Sequence, residues 1–272
     1  MRILDIENLS VRTEAADLLT NVSFTLEPGA RLGLIGESGS GKSMTALAIM
    51  GLLPLEIKAS GSLLLGNGKV APTQIIGTPE KVLNNIRGTV ASIVFQEPLT
   101  ALDPLMKIGR QLSEPLRRWQ GLTADTLCDA VISALDEVSI NNPERIARSY
   151  PYQISGGERQ RAAIAMALAC QPSLLIADEP TTALDVTVQA EILTLLDAIV
   201  AKRKMSLLFI SHDLAVVSKI TDHVLVLKDG FVVEAGSLGE ILRSPKHPYT
   251  RDLVTSAKEL DRALDLAKGR TA

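Results

Sequence analysis

Eight consecutive residues near the N-terminus have the types and spacing of a phosphate-binding loop. The pattern G-x-x-x-x-G-K-[ST] is matched by Gly36, Glu37, Ser38, Gly39, Ser40, Gly41, Lys42 and Ser43. Glycines allow a tight turn that directs backbone N–H groups at phosphate oxygens, and the N-terminus of a following helix adds a partial positive charge. In this pattern the Lys42 ammonium reaches the β- and γ-phosphates and the Ser43 hydroxyl binds Mg²⁺. The sequence therefore predicts a nucleoside triphosphate site; the alternative is an ordinary glycine-rich turn.

Two adjacent carboxylates follow an apolar run in the second half of the chain. Residues 174–177 have the pattern of a buried strand, and Asp178 and Glu179 come directly after them. Because ligand groups of open α/β sheets lie at the carboxyl ends of strands, both acids are expected to face the phosphate-binding loop. Asp178 is predicted to hold Mg²⁺, directly or through water, and Glu179 to accept a proton from an attacking water. The alternative is a helix N-terminus whose dipole favours two acids.

A second glycine-containing helix start lies at Ser155, Gly156, Gly157 and Glu158. Ser155 and Glu158 have the spacing of a capping box, which explains both residues without any ligand. A cap does not explain the two glycines, since glycine weakens a first helical turn unless the backbone must approach something closely. A second phosphate-binding helix N-terminus is the functional interpretation.

Hydrophobic periodicity indicates the elements that position these residues. Strands are predicted over residues 3–9, 22–26, 32–35, 61–65, 90–95, 173–177, 206–210, 224–227 and 231–233. Helices are predicted over residues 44–50, 123–138, 158–169 and 186–202, and from about residue 214. The first two strands are expected to be antiparallel, and the last two to form a hairpin that turns at Lys228, Asp229 and Gly230.

The order of these elements predicts an α/β fold interrupted by helices. Residues 97–170 are rich in helical patterns and punctuated by prolines, so we interpret them as an inserted helical subdomain. Residues 1–96 and 171–235 are predicted to form the α/β core, which begins with antiparallel β hairpins. Residues 236–272 are predicted to be a helical appendage.

Composition and charge argue against several classes of function. A net charge of -3, with one Trp, three Tyr and four Phe, gives neither electrostatic attraction nor stacking platforms for nucleic acid. No apolar run approaches the roughly 18 residues that span a bilayer, and no signal peptide is evident, so a cytosolic chain is expected. Cys128 and Cys170 lack the spacing of a disulfide framework or metal site, and the three histidines lack metal-ligand spacing.

The motifs occur in an order that resembles the ATP-binding subunits of ABC transporters. GESGSGKS, Gln96, ISGGERQR, LLIADEP, the run Ala183, Leu184 and Asp185, and His212 follow the order of that family's Walker A, Q-loop, signature, Walker B, D-loop and H-loop. Within the family, residues 96–104 and 244–250 look like the oligopeptide, dipeptide and nickel importer subfamily. The resemblance implies a P-loop NTPase core of the RecA-like type that hydrolyses ATP with Mg²⁺.

The resemblance also implies roles for single residues. Gln96 contacts Mg²⁺ or the attacking water, and His212 holds the γ-phosphate and positions Glu179. The catalytic set implied is Lys42, Gln96, Glu179 and His212, and the Mg²⁺ ligands implied are Ser43, Gln96 and Asp178. Read alone, a histidine at a strand end is more often a structural residue.

A dimer follows from the same resemblance. Two nucleotide-binding domains, identical or different, would stack head to tail around two ATP molecules. Ser155, Gly156 and Gly157 of one chain would direct backbone N–H groups at the γ-phosphate held by the other, and Asp185 would organise the neighbouring site. The implied partners are polytopic permease subunits and, indirectly, an extracytoplasmic solute-binding protein, with the chain on the cytoplasmic face of the membrane.

Some features depart from the family or leave alternatives open. Family members often stack an aromatic residue on adenine after the first strand, but this position holds Val11, Arg12, Thr13 and Glu14. Arg12 either stacks on the base or is a solvated strand-end residue. No cysteine follows residues 244–250, so no iron–sulfur centre is expected. The alternatives to a transporter subunit are a soluble ABC-type ATPase and an ATP-dependent interaction protein.

Overall fold

The computed structural model describes residues 2–68, 71–182 and 184–269. Its strands are β1 (Leu4–Arg12), β2 (Asp17–Leu26), β3 (Arg31–Ile35), β4 (Lys58–Leu65), β5 (Thr73–Gln74), β6 (Ala91–Val94), β7 (Leu174–Asp178), β8 (Ser206–Ser211), β9 (His223–Lys228) and β10 (Phe231–Ser237). Its helices are α1 (Lys42–Ile49), α2 (Glu80–Ile86), α3 (Pro98–Ala101), α4 (Ile108–Gln120), α5 (Ala124–Glu137), α6 (Pro143–Arg148), α7 (Gly156–Leu168), α8 (Val186–Arg203), α9 (Leu214–Val217), α10 (Leu238–Arg243) and α11 (Pro248–Gly269). A short 3₁₀ turn at Pro151–Gln153 precedes α7.

The chain divides into two compact units. One comprises Met1–Gly77 with Leu207–Ala272, and the other comprises Thr78–Ser206. The first unit holds β1–β5, α1 and every element from β8 onward except Ser206, the first residue of β8. The second unit holds α2–α8 with β6 and β7. The finer division at residues 96, 170 and 235 that the sequence indicates stays a prediction.

An antiparallel sheet begins the first unit, with strand order β2-β1-β4-β5. β1 pairs on both sides, so that Leu4 lies opposite Leu26 of β2 and Leu65 of β4. Buried and accessible positions broadly alternate along β1 and β2, as expected of a sheet with one face on a core. The predicted antiparallel strands are confirmed, and β1 extends to Arg12 past a register shift around Asn8, which has φ +53.

Parallel strands form the centre of the first unit. β3 pairs in parallel with β8 and with β9, which places Ile35 opposite both Ser211 and Val226. Four of the five residues of β3 and all six of β8 are buried, which explains why their sequences are nearly continuous apolar runs. Because β3 and β8 end together, Gly36 and His212 leave the sheet at the same edge.

A hairpin of β9 and β10 completes this set of strands. Asp229 and Gly230 connect the two strands with φ angles of +48 and +82. Two successive residues with positive φ are typical of the tight turns that match the twist of a hairpin. The predicted hairpin, with its turn at Lys228, Asp229 and Gly230, is confirmed.

The second unit combines a parallel strand pair with packed helices. β6 and β7 pair with Val94 opposite Ala177. Helices α4, α5, α6 and α7 pack around fully buried side chains that include Leu112, Leu135 and Ile164. The helical character predicted for residues 97–170 is confirmed, with α5 and α7 within two residues of the predicted bounds.

Several elements differ from the sequence-based expectations, and β2 begins at Asp17, five residues before the predicted start. The helix expected from residue 214 is a single turn, α9. The sequence did not predict β5, whose two residues are too few for any periodicity, or α2, whose seven residues bury only Leu83 and Ile86. Residues 236–272 are helical where described, as α10 and α11, although β10 continues to Ser237.

Candidate nucleotide site

The phosphate-binding loop joins β3 to α1 in the predicted strand–loop–helix context. Gly41 is the N-cap of α1, with φ +102, and no described side chain caps this helix. A Cβ on Gly41 would lie 2.5 Å from Leu19 Cδ2 and 2.8 Å from the Leu18 carbonyl oxygen, so only glycine fits there. An N-terminus without a capping side chain suits an external anion.

The ammonium of Lys42 lies across this loop. Its Nζ donates to the carbonyl oxygens of Gly36 at 2.8 Å and of Glu37 at 2.9 Å, and the residue is only 5% exposed. The Glu37 carbonyl also accepts from the N–H of Ser40 at 3.2 Å. The loop thus holds a cation by its own backbone at its centre, where a polyphosphate is expected to bind.

Two further features of the loop fit phosphate. The Ser40 hydroxyl is buried and has no hydrogen-bond partner among the described residues. A Cβ on Gly39, whose φ is +84, would meet nothing described within 4 Å, so the loop is open there. The Ser43 side chain is exposed at the start of α1. An orphaned hydroxyl, open space and a central ammonium together suit an anionic oxygen ligand.

His212 follows β8 at the same edge of the sheet as the loop. It is exposed, and the next residue, Asp213, caps α9 by accepting from the N–H groups of Ala215 at 2.8 Å and Val216 at 3.4 Å. The Ser211 hydroxyl in turn accepts from the N–H of Asp213 at 3.1 Å. The position of His212 is therefore fixed between a buried strand and a capped turn.

In the second unit, the structure brings together Gln96 and Glu179. These residues follow β6 and β7, whose pairing makes their carboxyl ends adjacent. Gln96 Nε2 donates to Glu179 Oε2 at 3.5 Å, and the Thr182 hydroxyl donates to the same oxygen at 2.9 Å. Asp178, the preceding residue, is 6% exposed, whereas Glu179 is half-buried. A carboxylate held in this way at a strand end can accept a proton from water.

Ser155 and Glu158 form the predicted capping box at the start of α7. Glu158 N–H donates to Ser155 Oγ at 3.2 Å, and the Glu158 carboxylate accepts from Ser155 N–H at 2.8 Å and pairs with Arg145. Partial burial raises the pKa of Glu158, but the Ser155 hydrogen bonds and the Arg145 charge outweigh this effect, so the net pKa is lowered. The carboxylate therefore stays ionised and keeps this helix start rigid.

The two glycines of this helix start have different local explanations. A Cβ on Gly157 would lie 3.0 Å from Val188 Cγ1, so close packing of α7 on α8 favours glycine. A Cβ on Gly156 would meet only Leu184 at 3.8 Å and Arg159 at 4.0 Å, which are ordinary contacts. Packing within the described chain therefore explains why residue 157 is glycine. It does not explain why residue 156 is glycine, so a functional reason for Gly156 stays open.

Asp185 has a local role as the N-cap of α8. Its carboxylate accepts from the N–H of Val188 at 3.0 Å, and its side chain is exposed. Ala183, the first residue of the predicted D-loop, lies outside the described residues. Sequence reasoning missed the contact of Thr182 with Glu179. Thr182 is the second of two adjacent threonines after a proline and belongs to no recognised motif, so only the folded turn shows that its hydroxyl reaches Glu179.

The other titratable residues in the part of the chain that the structure describes bear on two further kinds of site, a metal cluster and a reactive thiol. No group of three or more His, Cys, Asp and Glu side chains there could hold a metal ion. Both cysteines are free, and burial raises the pKa of Cys170 to about 11, so its thiol is unreactive at neutral pH. No described helix combines the length and the hydropathy needed to cross a bilayer.

Comparisons with known proteins agree with the motif order. Residues 19–182, more than half of the chain, match the family described as ABC transporter. A Brucella ovis protein, provisionally named as a peptide import ATP-binding protein, is 43% identical over 272 residues, covering 98% of this chain and 80% of its own. The oligopeptide transport ATP-binding protein OppD of Haemophilus influenzae is 43% identical over 263 residues, covering 95% of this chain and 80% of its own.

A solved structure has the same fold. An ATP-binding cassette, determined as a dimer in a post-hydrolysis state with ADP and Pi, matches this chain with a TM-score of 0.75 and 27% identity, over 86% of this chain and 98% of its own. The predicted P-loop NTPase fold is therefore confirmed.

Proposed function

The chain belongs to the ABC transporter family, and we propose that it is the ATP-hydrolysing subunit of a peptide importer. Family membership makes it an ATP-binding ATPase. The observation that supports catalysis, beyond nucleotide binding, is the position of the Glu179 carboxylate. It lies at the end of β7 and accepts hydrogen bonds from the Gln96 and Thr182 side chains. The relatives assigned to peptide import support the solute class.

In this proposal the loop from Gly36 to Ser43 binds the phosphates of ATP. Its backbone N–H groups and the α1 N-terminus would bind phosphate oxygens, and Lys42 would carry the positive charge that offsets the β- and γ-phosphates. The support is the uncapped helix start and the Lys42 ammonium held within the loop. The adenine contact stays open between Arg12 and other groups.

Ser43, Gln96 and Asp178 are the residues that would hold Mg²⁺. Hydroxyl, amide and carboxylate oxygens are the donors that this ion prefers, so the donor types fit. When bound, the ion neutralises charge on the β- and γ-phosphate oxygens. Ser43 is exposed at the first turn of α1, so its hydroxyl is accessible to an ion.

Hydrolysis needs a proton acceptor and a group that orients the γ-phosphate. Glu179 would take the proton of the attacking water, while Gln96 orients that water and His212 bonds the γ-phosphate and aligns Glu179. Gln96 and Glu179 already touch in the second unit, which supports their shared role. His212 and Lys42 would stabilise negative charge on the phosphoryl group.

We propose further that two such domains enclose ATP as a dimer. Ser155, Gly156 and Gly157 of each chain would meet the γ-phosphate bound by the other, with Asp185 beside it. The related cassette determined as a dimer with ADP and Pi supports this arrangement. Contacts within the chain do not require glycine at position 156. Close approach of a γ-phosphate from the other chain would explain the glycine there.

The membrane partners would be polytopic permease subunits, which receive solute from an extracytoplasmic solute-binding protein. The segment after Gln96, around residues 99–112, would make the contact, because it follows the residue that would contact Mg²⁺ or the attacking water. Leu105 in this segment is 86% exposed, which suits a protein contact. The chain would then act at the cytoplasmic face of the membrane, with nickel chelates as the alternative solute to peptides.

A pull-down from detergent-solubilised host membranes tests this proposal. The tagged full chain should recover polytopic membrane proteins and a nucleotide-binding subunit by mass spectrometry. Leu105→Asp should lose the membrane proteins, whereas Leu55→Asp, at a fully exposed leucine outside the segment, should retain them. Recovery of ribosomal or soluble assembly partners in place of permeases would favour a non-transport ATPase.

A further inference from the structure

The C-terminal segment contacts the phosphate-binding loop through a tyrosine. The N–H of Glu37 donates to the hydroxyl oxygen of Tyr249 at 2.8 Å, across 212 residues of sequence. Tyr249 is the second residue of α11 and is only 6% exposed. The proposed chemistry of the nucleotide site assigns no role to this residue.

One peptide group links Tyr249 to Lys42. The C=O of Gly36 accepts from Lys42 Nζ at 2.8 Å, and the N–H of the same peptide unit, that of Glu37, donates to Tyr249. In a trans peptide the C=O and N–H point in opposite directions, so the two bonds fix the plane from both sides. Rotation of this peptide would move the carbonyl on which the ammonium rests.

The ring of Tyr249 is itself held in place by neighbouring groups. Lys228 Nζ lies 5.0 Å from the ring centroid, within the range of a cation–π contact. The Glu234 carboxylate accepts from the N–H groups of Lys246 at 2.8 Å and His247 at 2.9 Å, which fixes the chain just before α11. Burial raises the pKa of Tyr249 above its ordinary value, so the phenol stays neutral at physiological pH.

We propose that Tyr249 is a positioning residue for the phosphate-binding loop, through which the C-terminal helical segment sets nucleotide affinity. Its hydroxyl acts on the Gly36–Glu37 peptide, and that peptide places the Lys42 ammonium for the phosphates. The inference rests on the proposed binding of ATP at this loop. It assigns to residues 244–250, which resemble one importer subfamily, a role inside the nucleotide site.

The substitution Tyr249→Phe tests the inference, because it removes the acceptor oxygen and keeps the ring. Tyr152→Phe is the matched control, since that side chain is 69% exposed. Loss of one hydrogen bond to the Glu37 N–H should weaken ATP binding by about three- to tenfold. Turnover at saturating ATP should stay within about twofold of wild type, because the lost interaction contributes equally to bound substrate and transition state.

Hydrogen exchange of the Glu37 amide reads the contact directly, without nucleotide. We expect this amide to exchange faster in Tyr249→Phe and at the wild-type rate in Tyr152→Phe. A tyrosine with only a structural role would lower the melting temperature but leave the KM for ATP unchanged, and that result would overturn the proposal. So would unchanged exchange of the Glu37 amide. If the wild-type chain bound no ATP, the proposed function would fail instead, while the exchange result would still report on the contact.

Discussion

Glu179 combines an uncommon backbone conformation with hydrogen bonds from the Gln96 and Thr182 side chains. Its φ of +48 lies in the left-handed region, which costs a non-glycine residue roughly 1 kcal/mol or more. The turn folds Thr182 back so that its hydroxyl reaches the carboxylate, to which Gln96 also donates. Strained backbone of this kind is enriched at functional sites, and here it lies beside a carboxylate that accepts hydrogen bonds from Gln96 and Thr182.

The Thr182 hydroxyl should matter for turnover and not for nucleotide binding. Thr182→Val keeps the shape and removes the donor to Glu179, so we expect ATP turnover to fall about three- to tenfold. Thr194→Val, on α8, removes a threonine hydroxyl that donates to the Ala190 carbonyl at 2.9 Å, and should leave turnover unchanged. Equal turnover in both variants, measured by phosphate release, would argue against a positioning role for Thr182.

Lys42 should act mainly on binding. Its ammonium is the charge that offsets the phosphates, and charged hydrogen bonds contribute about 1.5–3 kcal/mol each. Lys42→Ala should therefore weaken ATP affinity by about tenfold or more in a fluorescent-nucleotide titration. Lys202→Ala, at an exposed position on α8, is the control. Unchanged affinity in Lys42→Ala would contradict the assignment of the phosphate-binding loop.

At the scale of elements, the phosphate-binding loop between β3 and α1 requires glycine at position 41. Gly41→Ala combines a left-handed φ with contacts below 3 Å to Leu18 and Leu19, and should cost about 2–4 kcal/mol of unfolding free energy. Gly121→Ala, also left-handed but with nothing described within 4 Å, should cost about 1 kcal/mol. Equal values in urea unfolding would show that crowding at Gly41 does not constrain the loop.

Sequence reasoning succeeded for elements whose information is local. The apolar runs of β3, β7 and β8 and the positive-φ turn at Asp229 and Gly230 follow from periodicity and turn chemistry. The Ser155 capping box was likewise predicted and is present. Motif order supplied the proposed site residues, and each motif lies next to a strand end or a helix start.

Other features could not be predicted because they depend on distant chain segments. The hydrogen bond from Glu37 to Tyr249 joins residues 212 positions apart, and no local sequence pattern predicts it. Thr182 reaches Glu179 through a turn in which Glu179 has a left-handed φ, and a glutamate in the sequence does not predict that conformation. The strand β5 has just two residues and is defined by pairing with β4. Such contacts are products of tertiary structure.

At the scale of the whole molecule, the proposed dimer gives a test that depends on Gly156. Within the described chain a Cβ at this position makes only ordinary contacts, so we expect Gly156→Glu to fold, which circular dichroism would check. A carboxylate there would repel a γ-phosphate approaching from another chain. In a Glu179→Gln background with ATP, light scattering should detect a dimer, and adding Gly156→Glu should leave monomers. Dimers in both would place the interface elsewhere.

The measurement that tests the central claim most directly is steady-state ATP turnover of Glu179→Gln, together with its affinity for ATP. Glutamine keeps the size and the contacts with Gln96 and Thr182 but cannot accept a proton. We expect affinity close to wild type and turnover lower by about two or more orders of magnitude, as for loss of a general base. Near-normal turnover would remove Glu179 from that role and contradict the proposed mechanism.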